Sequence, residues 1–268
     1  MLLPVPFVLP SRQPAWPPMR TTEILGVRVD YAGTRDLEEA IIREVDRGGK
    51  EIIAYVNVHA INLAQDDALF REFLNKASVT YCDGEGVRLG ARILGTEPPP
   101  RTVLTRWIWD LGMLFQEKGI RVFLLGGRAG TVSTAAARFC ERFPRLHLVG
   151  CHHGYFQKNG PENQAVLLTI KRAAPDVIFV GFGMPAQEMW IEQNFSQLHA
   201  RVVIPCGGMI DYLSGEAQSA PDWMAQHGLE WLYRLVRDPA RLWKRYLVGN
   251  PMFVSRVLVQ RLRQGRRR

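Results

Sequence analysis

The chain of 268 residues is 47% hydrophobic and 22% charged, the balance of a globular protein with core enough for one large domain or two small ones. Its net charge of +8 is uneven: eleven of the 34 Lys and Arg lie from Arg234 onward against one acid, Asp238, so this tail carries +10 and the remainder −2. Cys82, Cys140, Cys151 and Cys206 lack CxxC spacing, which speaks against a disulfide framework and fits a reducing cytoplasm, and no run reaches the roughly 20 apolar residues of a spanning helix.

The opening stretch MLLPVPFVLPSRQPAWPP is apolar but broken by prolines, with no basic residue ahead of it, so it makes a poor signal peptide. Residues 1–20 are read as a disordered or loosely packed extension. Helical spacing then predicts helices near 34–47, 66–76, 84–95 and 105–118, with strands near 51–56 and 78–82. In the second half RVFLLGG (121–127), DVIFVGFG (176–183) and RVVIPCGG (201–208) end in paired or near-paired glycines, and LHLVG (146–150) ends in one. Helical segments 131–143, 162–173 and 185–196 lie between them. Continuous apolar strands alternating with helices predict an α/β fold, a doubly wound, mainly parallel, Rossmann-like sheet covered on both faces. Ligands then bind in the crevice at the carboxyl ends of the strands. We read 21–228 as one such domain and 229–268 as a basic amphipathic appendage.

In that appendage Asp238-Pro239 is an N-cap followed by proline at the first helical position. At 100° per residue, Arg241, Lys244 and Arg245 share one side of the next helix, and Leu242, Trp243, Tyr246 and Leu247 the other. One reading is a helix docked on the body; the other is an interfacial helix with Trp and Leu in lipid and Arg on anionic headgroups. The two are compatible.

The stretch SVTYCDGEGVRLGAR, 78–92, ends a strand on Asp83 and follows it with Gly84 and Gly86. Asp-Gly serves a tight turn well; the alternative is that something must approach Asp83 closely. Gly126, Gly127 and Gly130 form a strand-turn-helix whose N–H groups suit a diphosphate, though a plain turn reads almost as well. GFGMPAQEMWI brings Gln187 and Glu188 to the crevice, and CGGMIDYLSG brings Asp211. Asp83 and Glu85 have D-x-E spacing, yet without D-x-D, HExxH or a Cys/His cluster the sequence supports no metal. His152-His153 falls in a predicted loop, and no GxSxG occurs.

NVHAINLA, VTYCDGEGVRLGARILG, RVFLLGG, GYF, VGFGMPAQEMWI, GGMIDYLSG and APDWMAQHGLEWLYRLVRDPARLWKRYLVGNP together resemble the WecG/TagA/CpsF family, glycosyltransferase family 26, from about Thr22 to Phe253. The resemblance implies an inverting transferase of cell-surface or exopolysaccharide biosynthesis, peripheral on the cytoplasmic face of the membrane. It would move a sugar from a UDP donor to a polyprenyl-diphosphate-linked acceptor. It implies Asp83 as catalytic base, with Asn57, Arg101, Gln187, Asp211, Arg234 and Arg241 as further site residues and Lys244 at a third basic position of the tail. In that frame Arg101 or Arg234, with N–H groups near Gly126-Gly127, meets the charge of departing UDP without a cofactor. Asn57 and Gln187 orient sugar hydroxyls, and Asp211 binds the uridine part. Two departures, Tyr55 where Thr is common and Leu104 and Arg106 in place of a G-x-D pair, leave the sugar open: N-acetylmannosamine, its uronic acid or glucose. The expected partners are the two substrates and an anionic membrane surface through the tail, with no nucleic acid, and a homo-oligomer is left open.

Two rivals keep the same sheet. A non-catalytic nucleotide- or nucleic-acid-binding module would use the basic tail on phosphates. A nicotinamide-dependent oxidoreductase would use the glycine turn, although that turn is not a GxGxxG.

Overall fold

A computed structural model describes residues 19–265. The expected extension therefore lies almost wholly outside the described residues, as do the last three arginines. The described chain opens with a hairpin that the sequence reading did not foresee: β1 (Thr21–Ile24) pairs antiparallel with β2 (Val27–Asp30). Leu25 and Gly26 turn it with φ of 53° and 77°, the paired positive angles that suit a two-residue hairpin loop. The hairpin buries Ile24, Val27 and Val29 in the main core.

The elements that follow are α1 (Thr34–Arg47), β3 (Glu51–Val56), α2 (Val58–Asp66), α3 (Ala68–Lys76), β4 (Val79–Cys82), α4 (Glu85–Leu94) and α5 (Leu104–Lys118). Then come β5 (Arg121–Gly126), α6 (Ala129–Arg142), β6 (His147–His152), α7 (Gly160–Ala173), β7 (Val177–Gly181), α8 (Ala186–Asn194), β8 (Val202–Pro205) and α9 (Met209–Ser214). The helix expected at 66–76 is α3, and α2 ahead of it was not expected. Asn57 caps α2 by accepting from the Ala60 N–H at 3.0 Å, and Asp67 ends it and caps α3 by accepting from Phe70 at 3.0 Å.

Strands β3 to β8 form a six-stranded sheet in the order β4-β3-β8-β7-β5-β6, with every pairing parallel. Each strand sends alternate residues to opposite faces. Ile52, Ala54 and Val56 of β3 pack with α2, α3, α4, α7 and α8, while Ile53 and Tyr55 pack with α1, α5, α6 and α9. The fold is thus the doubly wound α/β sheet that the apolar runs predict. Because β3 hands the chain to one face and its neighbour β8 to the other, their carboxyl ends part to open a crevice.

The tail consists of α10 (Asp222–Gln226), α11 (Glu230–Arg237), α12 (Pro239–Trp243), one π-helical turn (Lys244–Val248) and α13 (Gly249–Gly265). Asp238 caps α12 as expected, accepting from the Arg241 N–H. The expected apolar side of that helix is split. Leu242 and Tyr246 are buried against Leu235 and Trp231 of α11, whereas Trp243 and Leu247 are 45% and 56% exposed. The wider π turn changes the angle between successive residues, and α11 supplies a partner for only half of the stripe. Phe253 and Val257 of α13 enter the same core as α2 and α4. Gly90 on α4 makes room for Phe253, since a Cβ there would lie 2.7 Å from its ring. No helix among the described residues is long and apolar enough to cross a membrane.

Candidate active site

Strand pairing sets the site. Val56 and Cys82 are partners on β3 and β4, so the next residues, Asn57 and Asp83, leave the sheet side by side, with the Asp83 N–H donating to Val56 O at 2.8 Å. Arg101 joins them because its backbone bridges to Cys82 in parallel at the end of β4. The glycines after Asp83 have two separate reasons. Gly84 takes φ 130°, closed to ordinary side chains, and a Cβ on Gly86 would lie 2.4 Å from Val58, so only glycine lets α4 start against α2.

Above these residues is a cavity of about 360 Å³, roofed by the tail. Asn57, His59, Asp83, Arg101 and Glu85 line it from the body, and Glu230, Arg234, Arg245 and Tyr246 from the tail. Burial pushes the Asp83 carboxyl up to about 6; Arg234, Arg101 and Arg245 pull it down, and Glu230 pushes it up. Such a group is ionised at neutral pH yet basic enough to take a proton. Burial, with help from Arg245, lowers His59 to about 4, so its imidazole is neutral. Arg234 lies over the Tyr212 ring at 5.4 Å, which holds its stem against α9. Arg101 donates to Ala225 O at 3.0 Å and pairs with Glu230, so this guanidinium also binds the tail to the body.

The structure gathers Asn57, Asp83, Arg101 and Arg234 in one cavity and leaves other expected site residues outside it. Gln187 is fully buried; its Oε1 accepts from the N–H groups of Gly183 at 3.2 Å and Gly207 at 2.9 Å, and its Nε2 donates to Glu188 at 2.8 Å. It braces the loops after β7 and β8 and lies outside the cavity of Asp83, where a sugar contact was expected. Glu188 is buried beside it, with its carboxyl raised to about 8 by burial. Gly126 and Gly127 are corrected too. The Gly127 N–H donates to Gly181 O at 3.4 Å, and a Cβ on Gly126 would lie 2.4 Å from that same oxygen, so these glycines bring β5 against β7.

Asp211 sits on α9, where burial and Glu216 raise its pKa and Arg241 and Arg128 lower it, away from the cavity of Asp83. Arg241 is exposed and bonded to Asp238 at 2.6 Å. His59 and Glu230 are cavity residues that the sequence reading did not single out, and Arg245, read as part of the basic side of the tail helix, also lines the cavity. The available signal was position: His59 lies two residues past Asn57, and Glu230 and Arg245 flank Arg234 and Arg241 on the tail.

A Rossmann-like crevice with a raised carboxyl and clustered guanidinium groups is what a group transfer with an anionic leaving group needs. The family described as "Glycosyl transferase WecG/TagA/CpsF family" matches residues 22–267. The chain is also 30% identical over 204 residues, 76% of its length and 77% of the relative's, to the N-acetylglucosaminyldiphosphoundecaprenol N-acetyl-beta-D-mannosaminyltransferase of Bacillus subtilis (strain 168). The protein of the same name from Staphylococcus aureus (strain MW2) is 30% identical over 207 residues, 76% of this chain and 78% of the relative. The chain belongs to the WecG/TagA/CpsF family of glycosyltransferases.

Proposed function

We propose that the protein transfers a sugar with inversion from a UDP donor to a polyprenyl-diphosphate-linked acceptor, with Asp83 as general base. The observation that carries this reading is the Asp83 carboxyl, poised near 6 in a cavity where the guanidinium groups of Arg234, Arg101 and Arg245 act on it. In the step, an acceptor hydroxyl attacks the anomeric carbon and passes its proton to Asp83 as the bond to the donor oxygen breaks. UDP leaves with the bonding electrons, and Arg234 and Arg245 meet the charge it gains. Arg101 contributes beside them while paired to Glu230. Asn57, its Oδ1 committed to capping α2, contributes its amide nitrogen to a sugar hydroxyl. Asp211, with Arg241 and Arg128 nearby, serves the nucleoside end of the donor. Guanidinium groups carry the charge in this reading, and no metal enters it.

N-acetylmannosamine is the donor sugar we infer first, from the activity named for the relatives. The acceptor class has the same basis. The lipid calls for a membrane surface, and the tail offers one: exposed Trp243, Leu247, Val248, Leu258 and Leu262 among Lys and Arg, suited to an anionic leaflet on the cytoplasmic side. A UDP-release assay tests the whole reading, with UDP-N-acetylmannosamine, its uronic acid and UDP-glucose each offered with a lipid-diphosphate acceptor. Release dependent on both substrates supports it, and no release with any donor refutes it.

A further inference from the structure

Arg101 and Arg106 grip residues 220–230 of the tail. Arg101 donates Nη1 to Ala225 O at 3.0 Å and Nη2 to the Glu230 carboxylate. Arg106 donates Nη2 to Ala220 O at 3.2 Å and Nη1 to Asp222 at 2.9 Å, and its Nε lies 3.5 Å from Glu230 Oε1. Glu230 thus receives both arginines, and its side chain is 17% exposed, as is that of Arg101. It also opens α11, and Arg234, four residues later, stands one turn along the same face of that helix. Any tilt of the first turn of α11 therefore moves the Arg234 guanidinium relative to Asp83.

We propose that Glu230 is a positioning residue: its bonds to Arg101 and Arg106 fix the start of α11, hold Arg234 at Asp83 and keep Arg101 from pairing with Asp83 itself. This rests on the transferase reading of the cavity. An Asp83 ion-paired directly to Arg101 would be a weaker base, because a neighbouring cation favours the ionised carboxylate. The charged groups facing Asp83 are Glu230 and Arg234 of α11, Arg101 and Arg245. Glu85 of α4, a further lining acid, is held by Arg88 and Arg92 at 2.8 and 3.1 Å, His59 of α2 is neutral, and Tyr55 and Tyr81 are phenols pushed upward, first of all by burial. Glu230 opposes the three guanidinium groups directly, so neutralising it shifts the Asp83 pKa and mispositions Arg234.

The test uses the full chain with E230Q, E230D and R106Q. In the transfer assay E230Q lowers kcat by about tenfold or more, the loss of a charged hydrogen bond, while the acceptor KM stays near wild type. The acid limb of its pH profile moves from the wild-type position, and E230D, which keeps the charge, leaves the limb in place. Amide hydrogen exchange across 230–237 is faster in E230Q. It is also faster in R106Q, whose arginine does not line the cavity. Wild-type exchange in α11 together with an unmoved acid limb in E230Q overturns the proposal. If E230Q does not fold, wild-type exchange in R106Q overturns it. If the wild-type chain releases no UDP with any donor, the transferase reading falls, and exchange alone decides whether the clasp orders α11.

Discussion

Two stretches of the crevice carry glycines at strand ends, and they use them for opposite purposes. At the end of β4, Gly84 and Gly86 bend the chain away and let α4 start close by, leaving Asp83 facing a cavity. At the ends of β5 and β7, Gly126 and Gly127 are spent on the Gly181 carbonyl, and Gln187 ties β7 to β8 behind them. A glycine-rich strand end is therefore no sign of a site by itself. What separates the two is charge: one has a carboxyl raised by burial among guanidinium groups, the other a set of amides around a buried Glu188.

The largest effect that would break this contrast is expected from Arg234→Gln. Removing one preorganised donor at a developing charge typically costs about 10²–10³-fold in kcat. Because Arg234 is the strongest cation acting on Asp83, its loss also moves the acid limb of kcat/KM upward from about 6. A variant with wild-type kcat and an unmoved limb would place the chemistry elsewhere.

Next is Gly126→Ala, which forces a Cβ to 2.4 Å from the Gly181 oxygen at φ 153°. Overpacking and backbone strain together cost about 3 kcal/mol, read as a lower urea midpoint in a chain that, on the proposed function, still binds UDP-sugar. Gly84→Ala has open space around it, with the nearest atom at 3.9 Å, so it keeps more stability and loses more transfer.

Glu188 sharpens the comparison through pH. Its folded pKa of about 8 exceeds the 4.5 of the free group, so the folded chain holds a proton that the unfolded chain releases. The stability it contributes is complete below pH 4.5 and is lost as pH rises through 8. Glu188→Gln should flatten that decline in urea midpoints measured at pH 5 and pH 8, with little change in transfer. A decline of unchanged slope would contradict a buried, protonated Glu188.

The smallest effect concerns the tail. Leu247→Ser removes one half-exposed leucine from the stripe proposed to meet lipid, about 1 kcal/mol or roughly fivefold in vesicle affinity. Sedimentation with anionic vesicles measures it, and a gel shift with RNA in parallel tests the nucleic-acid alternative.

The sheet was legible because apolar runs and glycine ends mark parallel strands wherever they fall, and Asp83 was legible because it stands where such a run stops; Asn57 came only through the family resemblance. The hairpin was not, since β1 and β2 are four residues each and Leu25-Gly26 is not the usual Asn-Gly turn. Gln187 and Gly127 were misplaced because a polar group at a strand end reads the same whether it faces a ligand or a neighbouring strand. Only the adjacency of β5, β7 and β8 tells which. The tail helix was read at 100° per residue straight through the π turn, so Leu242 and Tyr246 were put on the lipid side. Glu230 was passed over because its meaning lies in Arg101 and Arg106, more than a hundred residues away in the chain.

The central claim is that one carboxyl takes the proton in this cavity, and Asp83→Asn addresses it most directly. The asparagine keeps the size and loses the base, so UDP-sugar binding should hold near wild type while transfer at pH 7.5 slows by about 10²–10⁴-fold. A purified Asp83→Asn chain that binds the donor and transfers at the wild-type rate would contradict the account.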